Sequence, residues 1–140
     1  MDLHKYKDLF SEIVDGAAEH FYFHQSHVEK DYYITKILKE ISVSEYNGQT
    51  FFKGGTSLSK AFGIINRFSE DLDMLTYTGD VFASKSKEKT LNKRACDVIV
   101  SHNSEMYKPE LSKTGGNFRK LYFDYETNVL ECLILRNIVL

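Results

Sequence analysis

Thr50-Phe51-Phe52-Lys53-Gly54-Gly55-Thr56-Ser57-Leu58-Ser59-Lys60, followed closely by Arg67-Phe68-Ser69-Glu70-Asp71-Leu72-Asp73-Met74-Leu75, is the stretch from which the fold is read. Thr50-Phe51-Phe52 reads as a short buried strand that Lys53-Gly54-Gly55 brings to an end. From Ser57 to about Asn66, Leu58, Ala61, Phe62 and Ile65 recur at helical spacing, with Thr56 or Ser57 as the expected N-cap. Asp71-Leu72-Asp73-Met74-Leu75 alternates as a half-buried strand. Two glycines let the backbone approach a ligand closely, and the open N–H groups of a helix start suit phosphate oxygens. Thr56 and Ser57 add hydroxyls, while Lys60 and Arg67, seven residues apart, are expected on an open face opposite Leu58 and Phe62. On a strand, residues i and i+2 project to one side, so Asp71 and Asp73 bring two like charges together and call for a cation. Hard carboxylate and phosphate oxygens are the donors Mg²⁺ prefers. A P-loop is excluded, because Ser59 precedes Lys60 where glycine is required and Ala61 follows where a metal-binding hydroxyl belongs.

Outward from this unit, Leu3, Tyr6, Phe10, Ile13 and Val14 predict a helix over residues 2–24, with a break near Gly16. A second helix runs from about His27 to Ser42, its stripe formed by Ile34, Ile37, Leu38 and Ile41, with Lys36, Lys39 and Glu40 pointing away. Residues 80–104 are lysine-rich and helical, with Leu91, Ala95, Val98 and Ile99 inward. Lys113 to Asn117 reads as a loop, and strands follow at about 118–125 and 129–135. The order is two helices, then strand, helix, strand, helix, strand, strand. That predicts an α/β (α+β) domain with one small mixed sheet flanked by helices. We expect one domain over 1–140, with N-terminal helices to about residue 45 and a sheet-and-helix core over 50–135.

The 140 residues suffice for one core, since a chain of this length buries roughly 70% of its unfolded surface. A net charge of −2 excludes a protein that coats nucleic acid through its overall field, though not a local basic patch. No apolar run spans a bilayer and the N-terminus carries no signal-peptide core, so a cytoplasmic location without membrane contact is expected. Cys96 and Cys132 form no metal-binding pattern and read as reduced thiols in or near the core.

The two quoted segments, together with Val28-Glu29-Lys30-Asp31-Tyr32-Tyr33-Ile34-Thr35-Lys36-Ile37-Leu38 upstream, resemble the AbiEii/AbiGii toxin family, a branch of the polymerase-beta-like nucleotidyltransferases. The resemblance is close over residues 27–75 and looser to 135. It implies a metal-dependent transferase that moves NMP from an NTP to an acceptor, commonly tRNA, with one or two Mg²⁺ ions and a separate antitoxin partner. By matching positions it implies that Gly55 and Ser57 hold the triphosphate within a nucleotide-binding set that also takes in Gly54 and Thr56, with Lys53, Lys60 and Arg67 in supporting roles. Asp71 and Asp73 become the metal-binding catalytic pair. A third carboxylate is expected on a later strand, and Glu131 in Val129-Leu130-Glu131 fits that slot as general base or metal ligand, with Asp124 as its competitor. The family continues into a helical region with further motifs, whereas this sequence stops at Leu140 on an apolar run. An incomplete member that binds nucleotide or a protein partner is therefore the alternative, and self-association is a further expectation.

Several residues carry a second reading. His20, His24 and His27 fall at i, i+4 and i+7, but are read as surface or packing residues rather than as a zinc clasp. Lys85, Lys87, Lys89, Lys93 and Arg94 form either a solvated helix face or a contact for RNA phosphates, and a plain RNA-binding domain is the third functional reading. Tyr32 and Tyr33 are candidates for stacking on a base, although most of the aromatics are expected in the core.

Overall fold

The computed structural model describes residues 2–63, 71–125 and 128–136, the last of these segments by its backbone alone. A single turn of 3₁₀-helix, Leu3–Lys5, leads into α1 (Lys7–Phe21) and α2 (Gln25–Ser42). A second such turn, Asn47–Gln49, precedes β1 (Thr50–Lys53), α3 (Gly54–Lys60) and β2 (Asp71–Thr76). Then come α4 (Lys85–His102), β3 (Lys113–Thr114), β4 (Phe118–Tyr125) and β5 (Asn128–Arg136).

Helix α1 runs through Gly16 without the expected break. A mid-helix glycine costs only about 0.5–1 kcal/mol against alanine, and burial of Phe10, Val14 and Ala18 on one face offsets it. The helix ends instead at Tyr22, which adopts a left-handed conformation (φ 56°), while the Phe23 N–H donates to the Ala18 carbonyl at 2.9 Å. The His24 ring then caps α2 by accepting from the Ser26 N–H, so α2 starts two residues earlier than its apolar stripe suggests. Ile34, Ile37 and Ile41 are buried as expected. Lys36 and Glu40 do not point away: they pair with each other, and both bond Asn103, the buried residue just after α4. Periodicity could not show this, because the neighbour that turns a polar face inward lies far along the chain.

The strands form one mixed sheet in the order β1-β2-β5-β4-β3, with the central β2–β5 pair parallel and the other pairs antiparallel. A parallel pair needs a crossover, and α4 lies between β2 and β4 in the chain to provide it. Leu72 and Met74 of β2 and Leu121, Phe123 and Tyr125 of β4 join Phe10, Val14, Tyr33, the α2 isoleucines, Cys96 and Ile99 in one core. Helices α1, α2 and α4 thus cover one face of the sheet. Burial pushes the Cys96 thiol up to about 12. Two local expectations are corrected. The segment read as a loop from Lys113 begins with β3, a two-residue strand paired to β4. Strand β1 is an edge strand with Phe51 exposed rather than a buried one, because among the described residues β2 alone neighbours it.

Candidate functional site

Alternation along β2 sorts its side chains by face. Leu72, Met74 and Thr76 are buried toward the helices, and Asp71, Asp73 and Leu75 occupy the opposite face, exposed or half-buried. The two aspartates therefore stand on the face of the sheet opposite the one that α1, α2 and α4 cover, as i, i+2 spacing requires. Register puts Lys53 of β1 directly across from Asp73, and Glu131 of β5 across from Asp71 on the other side. The row continues to Tyr122 of β4. The side chain of Glu131 and the whole of Arg67 lie outside the described residues.

Lys53 is the extended N-cap of α3, and the chain turns at Gly54 with φ +78°. Two constraints make that residue glycine. An L side chain rarely adopts this φ, and a Cβ there would sit 2.5 Å from Asp73 Oδ2 and 3.2 Å from Asp73 Cβ. The backbone of the turn thus lies against the carboxylate. Helix α3 starts at Gly54, ahead of the expected Thr56 or Ser57 cap, so both hydroxyl residues fall inside it and are buried. The Thr56 hydroxyl donates to the Asp71 carbonyl at 2.6 Å and the Ser57 hydroxyl to the Gly54 carbonyl at 2.8 Å. The first bond stitches the turn to the strand that carries the carboxylates, and the second closes the turn on itself.

The second half of α3 departs from expectation. Leu58, Ala61 and Phe62, read as an inner stripe, are exposed, Phe62 at 68%. Ile65 lies outside the described residues. Lys60, placed on an open face by the same reasoning, is instead the inward residue: its ammonium lies 2.6 Å from Asp31 Oδ1 and donates to Thr35 Oγ1 at 2.8 Å. Anchoring Thr56 and Ser57 inward rotates the helix relative to the apolar pattern, and a seven-residue helix has too little apolar area to resist.

Among the other candidates, Asp124 lies on the open face of β4 but pairs with Lys108 at 3.3 Å, and its register partner is Val129, one row beyond Glu131's neighbour Leu130. Tyr33 is buried and packs in a tilted ring pair with Tyr125 at a centroid distance of 4.8 Å, and the Tyr32 hydroxyl bonds the His4 ring at 2.8 Å. Both tyrosines belong to packing between α1, α2 and β4. His24 caps α2, and His20 makes an edge contact with Phe21. Lys87 and Arg94 line a cleft of about 440 Å³ with Tyr46, Gln49 and Thr90. Helix α4 packs on the covered face of the sheet, so its basic residues do not share a surface with Asp71 and Asp73. Among the described residues no helix is long and apolar enough to cross a membrane, and no set of three or more His, Cys, Asp or Glu side chains forms a metal cluster.

Sequence reasoning missed Asp31 and Thr35 as parts of this neighbourhood. Their i, i+4 spacing on α2 was legible, but nothing local ties them to Lys60.

A family profile described as "Nucleotidyl transferase AbiEii toxin, Type IV TA system" matches residues 36–133. The match includes the glycine turn, the Asp-x-Asp strand and Glu131. No curated protein and no solved structure matches the chain.

Proposed function

Because the chain belongs to the AbiEii nucleotidyl transferase toxin family, we propose that it transfers a nucleoside monophosphate from a nucleoside triphosphate to an RNA acceptor at the Gly54–Asp73 junction. The observation that carries this reading is the packing of the glycine backbone against the Asp73 carboxylate. Phosphate-binding amides and acidic oxygens are then close enough to share one ligand.

Asp71 and Asp73 fit Mg²⁺: they are hard oxygen donors on one face of β2. Bound there, the ion would neutralise charge on the triphosphate and stabilise displacement at phosphorus. The chain's own residues supply the rest. Gly54 and Gly55 offer backbone N–H groups to the triphosphate without a side chain in the way. Lys53, opposite Asp73, balances negative charge where substrate phosphate adds to it. Thr56 and Ser57 hold the turn in shape through their bonds to the Asp71 and Gly54 carbonyls. Arg67 keeps its supporting role toward the triphosphate, whereas Lys60 orients α3.

Glu131, beside Asp71 in register, is assigned as the third carboxylate, accepting the proton of the attacking hydroxyl or joining the metal-binding pair. Asp124 is set aside, since its partner is Lys108. The acceptor is tRNA or another RNA in the cytoplasm, and the partner is an antitoxin. Single-domain organisation and self-association belong to the same proposal.

The test is incubation of the protein with each of four α-labelled nucleoside triphosphates, Mg²⁺ and total cellular RNA. Label on RNA that drops about 100-fold or more in Asp71→Asn and Asp73→Asn is the expected result. Transfer that persists in both variants, or none from the intact chain with any nucleotide, refutes the reading.

A further inference from the structure

Helix α3 carries the glycine turn, yet it has seven residues, and Leu58 within it and Ala61 and Phe62 just after it are exposed, so apolar burial does little to orient it. Polar ties at its two ends do that instead. Near its start, the Thr56 hydroxyl donates to the Asp71 carbonyl at 2.6 Å. At its last residue, the Lys60 ammonium enters a fork made by Asp31 Oδ1 at 2.6 Å and Thr35 Oγ1 at 2.8 Å. The fork is ordered, because Thr35 spends its own proton on the Asp31 carbonyl at 2.8 Å and so presents an oxygen lone pair to Lys60. Asp31 and Thr35 sit one turn apart on α2, whose Ile34, Ile37 and Ile41 are locked in the core.

We propose that Asp31 and Thr35 are positioning residues that set the orientation of the glycine turn through Lys60. Both lie outside residues 36–133, the segment matched by the family profile. A helix of this length is about 10 Å long, so freeing its far end lets it pivot at Thr56 and shifts Gly54 relative to Asp73. The tether itself stands on geometry alone. Its consequence for nucleotide use rests on the function proposed above.

The experiment uses the full chain with Asp31→Asn, Asp31→Glu, Thr35→Val, Lys60→Met and the Asp31→Asn/Lys60→Met pair. Amide hydrogen exchange over residues 54–60, the unfolding midpoint, and kcat and KM for nucleoside triphosphate are measured for each. Asp31→Asn is expected to leave the midpoint nearly unchanged, because a partly exposed ion pair contributes little to global stability. Exchange over 54–60 should quicken about three- to tenfold, with KM rising by a similar factor. Thr35→Val should give a smaller change in the same direction. Lys60→Met should match Asp31→Asn, the pair should be no worse than either alone, and Asp31→Glu should recover most of the loss.

Unchanged exchange over 54–60 in Asp31→Asn overturns the proposal. So do losses in Asp31→Asn and Lys60→Met that multiply in the pair. If the intact chain transfers no nucleotide, the functional reading fails while the exchange data still decide the tether.

Discussion

Replacing Gly54 by alanine tests the central geometry of the site. Three contributions set the magnitude. Holding an L-residue at φ +78° costs about 1–2 kcal/mol. The new Cβ would lie 2.5 Å from Asp73 Oδ2, 3.2 Å from its Cβ and 3.3 Å from its Cγ. A rotation of the carboxylate relieves only the first of these contacts, so overpacking costs a further 1–3 kcal/mol or so. Lower entropy of the unfolded chain returns about 0.4–1 kcal/mol. The net expectation is a loss of about 3 kcal/mol, read from the midpoint of urea denaturation at constant slope. Adding Asp73→Ala in the same chain removes the Oδ2 and Cγ contacts, and should cost less than the two single substitutions added together, by about 1–3 kcal/mol. Gly16→Ala is the control of opposite sign. Nothing lies within 4 Å of the Cβ it would add inside α1, so it should stabilise by about 0.5–1 kcal/mol. A Gly54→Ala protein as stable as the parent, or one whose loss simply adds to that of Asp73→Ala, would refute the claim that turn and carboxylate are packed together.

Two further outcomes follow from the polar groups between helices. Lys36→Met leaves Glu40 and Asn103 facing each other in a largely buried site, and chemical denaturation should show a loss of about 2 kcal/mol, with a smaller loss for Lys36→Met/Glu40→Leu. His4 is held below the ordinary histidine range, first by burial and then by the nearby Lys36 charge. A depressed folded pKa means that the unfolded chain binds the proton more readily. Stability from His4 is therefore complete above about pH 6.5, the unfolded value, and is lost as pH falls through the lower folded value. Thermal melts between pH 7.5 and 5 should show this decline, and His4→Gln should flatten that portion of it.

Part of the candidate site's geometry was legible because it is local in the chain. The i, i+2 spacing of Asp71 and Asp73 fixes their common face wherever the strand lies, and Gly54-Gly55 marks a turn whatever packs around it. The α2 isoleucine stripe likewise needs only helical periodicity to declare its buried side. Tertiary structure decided what depends on distant neighbours. Thr56 turned inward because the Asp71 carbonyl was there to accept its hydrogen bond, and that rotation left Leu58 and Phe62 outward against the apolar pattern. Lys60 met Asp31, and Lys36 met Asn103, through contacts that no spacing rule encodes. Gly16 stayed helical because packing along α1 outweighs a backbone penalty of about 1 kcal/mol. The sequence by itself determined which residues face together along each element. Only the folded chain determined which elements meet, since hydrogen bonds and charges between them depend on where the sheet brings them.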